Sequence, residues 1–259
     1  MEHTPPLPHH AVDLAALRER VRALQPLTRH GVLAFGDARV DDCLAGGLPL
    51  GQVHEIGADG MEAETGVLAA AFAASWLARL VDPRPLLWIA PPPGAATPEL
   101  YPPALLAYGL DPARLLLVQS GGDGTLAAME AALRGGAAAA VVAEAGRIGR
   151  LAGRRLHLAA LAHGSTGFLL RRWPHGRNSA RDAGEVAAVA TRWRLAAAPG
   201  VVAHQEPGAA RWRVELLHAS FGRPGAWLMQ LEGEEDAPLS LRVVAGLADP
   251  AVAPRRRRA

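Results

Sequence analysis

The chain has no lysine: its 27 Lys-plus-Arg residues are all arginine among 259 residues. No ammonium group is therefore present where a phosphate-binding lysine would be required. Arginine in place of lysine, together with abundant alanine, reads as GC-rich coding bias. A single cysteine, Cys43, excludes an intramolecular disulfide, a cysteine zinc cluster and an iron–sulfur centre. Asp41 and Asp42 beside it would raise its pKa, which makes it a small buried residue and not a reactive thiol. Aromatic residues are only 5% of the chain while hydrophobic ones are 50%, so the core must be built from Ala, Leu and Val. No uncharged apolar run reaches membrane-spanning length, since the longest, 64–80, is interrupted by Arg79. Met1-Glu2-His3-Thr4-Pro5-Pro6 lacks the pattern of a signal peptide, and the expectation is a cytoplasmic protein with no membrane partner.

What is present is a glycine-rich approach to a loop. Gly46-Gly47-Leu48-Pro49-Leu50-Gly51-Gln52-Val53-His54-Glu55-Ile56-Gly57 reads as a turn feeding a short buried strand. Ala58-Asp59-Gly60-Met61-Glu62-Ala63-Glu64-Thr65-Gly66 follows, then an alanine-rich helix. This is the strand–loop–helix layout of a P-loop, whose G-x-x-x-x-G-K-[ST] pattern cradles phosphates with backbone N–H groups and one ammonium group. With Gly57 as the first glycine, Glu62 takes the second-glycine position, Ala63 the lysine and Glu64 the hydroxyl residue. Asp59, Glu62 and Glu64 would repel a triphosphate where attraction is needed. The loop formed by Gly57, Asp59, Gly60, Glu62, Ala63, Glu64 and Thr65 is thus a degenerate phosphate site, and no cofactor or metal is expected.

Around it, strand and helix patterns alternate. Strands are predicted at 52–56, 86–90, 115–118, 138–143 and 167–171, and helices near 64–80, 98–108, 124–134 and 147–163. Such alternation specifies an α/β fold with a mostly parallel central sheet and helices on both faces. The segments 191–196, 211–217, 226–231 and 239–244 alternate polar and apolar residues between Gly/Pro turns, as antiparallel strands added near the C-terminus would. Residues 1–30 are expected to form an N-terminal arm with an amphipathic helix at 12–24, 31–250 the core with its β extension, and 251–259 a disordered basic tail. Charge is uneven: residues 1–140 hold 9 Arg against 15 Asp+Glu, and residues 141–259 hold 18 Arg against 10. That imbalance marks either a basic surface for nucleic acid or an acidic partner, or an ordinary solvated face.

The run from Gly46 to Gly57 resembles the approach to the phosphate loop in the ATPase core of RecA. Phe35-Gly36-Asp37-Ala38-Arg39-Val40-Asp41 upstream and Gly109-Leu110-Asp111-Pro112-Ala113-Arg114-Leu115-Leu116 downstream are similar to the same core over about 32–196. The resemblance implies a RecA-like P-loop NTPase fold and places Glu144 at or next to the Walker B carboxylate. Where a water-polarising acid should follow the second core strand, the chain has Pro91-Pro92-Pro93. A RecA-like core without its catalytic groups resembles the ImuA family, as do Thr191-Arg192-Trp193-Arg194-Leu195, Ala210-Arg211-Trp212-Arg213-Val214-Glu215-Leu216 and Gly222-Arg223-Pro224-Gly225. That resemblance implies a non-catalytic adaptor in damage-induced (SOS) mutagenic translesion DNA synthesis. Its implied partners are an ImuB-like Y-family protein, an error-prone replicative-type polymerase and RecA.

Several candidate sites remain beside that reading. Arg171, Arg172, Trp173, Arg177 and Arg181 form a basic loop with one stacking ring, suited to single-stranded DNA or to local packing. A second basic run, 147–155, opens the helix after the Walker-B-like strand. Trp193, Trp212 and Trp227 are either partner-contact anchors or packing under the C-terminal sheet. His157 and His163, six apart, miss the spacing for metal ligation from one helix face. Ser120 lacks the elbow of a hydrolase nucleophile, and Asp123 and Glu130 are too isolated to act as an acid–base pair. The competing functions are a single-stranded-DNA binder or RecA-filament regulator, a SulA-like cell-division inhibitor, and an ATPase using arginine for lysine.

Overall fold

The computed structural model describes residues 29–60, 62–95, 99–146, 148–172, 188–200, 209–233 and 238–247, with only the backbone of 62–65. The arm and helix expected within 1–28, the tail, Trp173, Arg177 and Arg181 lie outside the described residues.

Two short strands, β1 (Val32–Leu33) and β2 (Leu48–Pro49), pair antiparallel around α1 (Ala38–Asp41), which Asp37 caps by accepting from the Arg39 backbone N–H. The core then alternates as read from the sequence. β3 (Val53–Ala58) leads into α2 (Glu62–Leu77), then β4 (Leu86–Ala90), two 3-10 segments (Pro102–Tyr108 and Pro112–Arg114) and β5 (Leu115–Gln119). There follow α3 (Asp123–Gly135), β6 (Ala140–Ala145), α4 (Arg150–His163), β7 (Thr166–Arg171) and β8 (Thr191–Ala198). Three more strands, β9 (Arg211–Ala219), β10 (Gly225–Glu232) and β11 (Ser240–Gly246), complete one nine-stranded sheet in the order β11-β10-β9-β8-β3-β7-β6-β4-β5. From β5 to β8 every neighbouring pair is parallel; from β8 to β11 every pair is antiparallel.

The buried strands explain this arrangement. All six residues of β6 and of β7 are buried, as strands covered on both faces must be. On one face α2 packs Phe72, Trp76 and Leu77 against Trp88, Val142, Phe168, Leu170 and Trp193. On the other, α3 and α4 pack Met129, Leu133, Leu156 and Ala160 against Ile89, Val141, Ala143 and Leu169. The run from Leu68 to Leu77 in α2 has no polar stripe; from Leu68 on, all of these residues are buried.

The differences from the sequence reading are local. The helix predicted at 98–108 is a 3-10 turn opening on Pro102-Pro103 and closing on Gly109 at φ 77°. α4 begins at Arg150, three residues later than 147, because Gly149 holds an extended conformation there. Among the described residues, no helix is long and apolar enough to cross a membrane.

Candidate functional site

In open α/β sheets ligands bind outside the carboxyl ends of the parallel strands. Here that edge is formed by Gly57 to Gly60 after β3, the prolines 91–93 after β4, Ala145 and Gly146 after β6, and Arg171 and Arg172 ending β7. Three groups of charges occupy it.

The first lies on the α2 face. Glu144, 4% exposed, accepts from the Trp88 indole N–H at 2.7 Å through Oε1 and from Arg172 Nε at 2.9 Å through Oε2. Both carboxylate oxygens are thus engaged within the protein. β6 supplies Glu144 and β4 supplies Trp88, while Arg172 follows the last residue of β7 directly.

The second group lies on the opposite face of the sheet. Glu55, in the middle of β3, stands between Arg171 of β7 (3.7 Å) and Arg192 of β8 (3.1 Å). Arg192 is its register partner across β3 and β8. Burial lowers the Arg171 pKa from its ordinary value, and the nearby Glu55 opposes that shift. The Arg171 stem runs beside Gly57, where an added Cβ would stand 3.8 Å from Arg171 Cβ.

The third group borders the loop itself. Asp59 faces Arg194 at 3.5 Å, and Arg194 and Arg213 both pair with the buried Glu215. These residues, with Leu195 and Ala196, line a cavity of about 120 Å³. Burial raises the Asp59 pKa, Arg194 lowers it and Glu215 raises it again. α2 starts just beyond Gly60, whose φ is 127°. A helix start favours an anion, but the segment leading into and opening this one carries Asp59, Glu62 and Glu64. The residues present do not fit a magnesium nucleotide: no lysine exists, and both oxygens of Glu144 already accept hydrogen bonds from the protein.

No protein-family model matches the chain. Among curated proteins it is similar to Protein ImuA of Caulobacter vibrioides, in strains NA1000 / CB15N and ATCC 19089 / CIP 103742 / CB 15. Each is 38% identical over 230 residues, which is 86% of this chain and 92% of the relative. The chain belongs to the ImuA family. The resemblance to the ImuA family, drawn from the segments around Trp193 and Trp212 and from the turn at Gly222 to Gly225, is borne out.

Placed on this ImuA-family fold, two sets of candidate residues need correction. Arg171 and Arg172 are not in a solvated loop: they are 3% and 4% exposed and hold Glu55 and Glu144. Trp193, Trp212 and Trp227 are 1%, 5% and 3% exposed and do not present a partner surface. Strand alternation turns them under α2, where Trp193 meets Phe72, Trp76 and Trp227 at ring-centroid distances of 5.3, 6.2 and 6.3 Å. Glu130 binds Arg134 and Arg155, and burial lowers the His157 pKa. Sequence reasoning missed Glu55, Trp88, Arg192, Arg194 and Glu215. The available signal was complementary charge at neighbouring positions of otherwise apolar strands.

Proposed function

We propose that this chain is a non-catalytic adaptor on a RecA-like scaffold, acting in damage-induced mutagenic translesion synthesis through an ImuB-type partner. The partner would in turn connect it to an error-prone replicative-type polymerase. Membership of a family whose curated relatives are named Protein ImuA supports the mutagenesis context. A strand order that puts β3 between β7 and β8, with a helix directly after it, suits the scaffold.

The observation that carries the reading is the engagement of both Glu144 oxygens, one by Trp88 and one by Arg172. Phosphoryl transfer depends on a carboxylate that positions magnesium against the phosphates. Freeing Glu144 for that task would break its buried hydrogen bonds with Arg172 and Trp88. Surfaces are the remaining means of action. The test is co-purification of the full chain with an ImuB-type protein at about 100 mM salt, where screening of exposed charges is moderate. A stoichiometric complex is expected. Elution of the two proteins apart at micromolar concentration would defeat the adaptor role.

A further inference from the structure

The outward face of α4 has charge and apolar exposure that the site above does not use. The helix turns Gly153, Leu156, Ala159 and Ala160 toward the sheet. On its other side Leu151 is 73% exposed and Leu158 is 56% exposed. Seven residues separate them, two turns and about 10 Å along one face. Arg154 and Arg155 lie between them, and Arg150 precedes them. Arg155 is held by Glu130 of α3 at 2.8 Å. Arg150 and Arg154 are exposed and make no ion pair among the described residues. No acidic residue occurs anywhere in α4.

The N-terminus of this helix deepens the imbalance. Its N-cap, Gly149, makes no side-chain capping bond, and its first turn holds no acid. Arg150 therefore sits at the positive end of the helix dipole, where a carboxylate is favoured and a cation is not. Exposed leucines, unopposed arginines and an uncapped helix start all call for one kind of surface.

We propose that this face docks an acidic amphipathic segment of the partner protein. Apolar side chains at helical spacing would cover Leu151 and Leu158, and carboxylates would meet Arg150, Arg154 and the helix start. Nucleic acid would satisfy the charge but leave both leucines in water, so a protein segment is the better match. The inference rests on the adaptor reading and assigns that reading a surface.

The test uses the full chain, an ImuB-type protein as probe, and two double variants, Leu151→Ser with Leu158→Ser and Arg150→Glu with Arg154→Glu. Each substitution is on an exposed position, so melting temperatures should stay close to the parent. Removing the central anchors of an interface should weaken binding by about tenfold or more for each pair. A parent chain that binds while both variants bind equally well would overturn this surface and leave the adaptor role standing. A parent that fails to bind at all would remove both. An oligo-dT probe separates the remaining case: loss of oligo-dT binding in the arginine variant, with partner binding intact in both, would reassign the face to nucleic acid.

Discussion

At the scale of single residues, buried polar groups determine how this protein stands up to pH. His54, fully buried in β3, is bonded to Thr191 Oγ1 at 2.9 Å and to the Pro49 carbonyl at 2.9 Å. The Pro49 carbonyl only accepts, so Nε2 carries the proton, and Nδ1 accepts from the Thr191 hydroxyl. Thr191 in turn accepts from the Trp193 indole at 2.9 Å. Burial pushes the His54 pKa down from 6.5 to about 3. The unfolded chain then binds a proton that the folded chain refuses. Stability from this group is complete above pH 6.5 and is lost as pH falls toward 3, with a slope of about 1.4 kcal/mol per pH unit in that window. Urea titrations across it should show that slope, and His54→Gln should flatten it. Arg172→Ala should destabilise by about 3–5 kcal/mol, since it leaves the buried Glu144 without its cation, and Glu144→Ala should also destabilise, by removing the bonds to Trp88 and Arg172. The double variant should lose less than the sum, which chemical denaturation can measure. These pairs were hidden in the sequence because Arg171 and Arg172 adjoin Trp173 and Pro174, a composition typical of loops. Counting in twos from Leu169 would have set Arg171 inward, but only the strand order shows that Glu55 waits there.

At the scale of elements, legibility depended on whether local pattern and tertiary context agree. β4 was readable to its exact ends because five apolar residues are bracketed by Pro85 and Pro91. β9 and β10 were readable from alternation between glycine and proline turns. β1 and β2 were not, because two residues form no period, and their pairing depends on the turn through Gly46 and Gly47. The β9–β10 connection is pinned to the turn after α1 by the Arg223 N–H donating to the Cys43 carbonyl at 2.9 Å. Gly222 passes so close that an added Cβ would overlap that same carbonyl oxygen. Gly222→Ala should therefore cost about 1–3 kcal/mol or more by overpacking. A melting temperature equal to the parent's would show that this hairpin is not anchored there.

At the scale of the whole molecule, part of the uneven charge along the sequence is reconciled in three dimensions among the described residues. Glu55 and Asp59 from the acidic half meet Arg171, Arg192 and Arg194 from the basic half across the carboxyl edge of the sheet. Part of the apparent basic surface is therefore internal neutralisation, and the arginines left outward on α4 stand out against it.

The most direct measurement is isothermal titration calorimetry of the full chain with magnesium–ATP, followed by phosphate release under the same conditions. With Glu144 held by Trp88 and Arg172 and no lysine at the loop, no saturable heat and no turnover are expected up to millimolar nucleotide. A dissociation constant in the low micromolar range, with nucleotide-dependent phosphate release, would contradict a protein that works by contact alone.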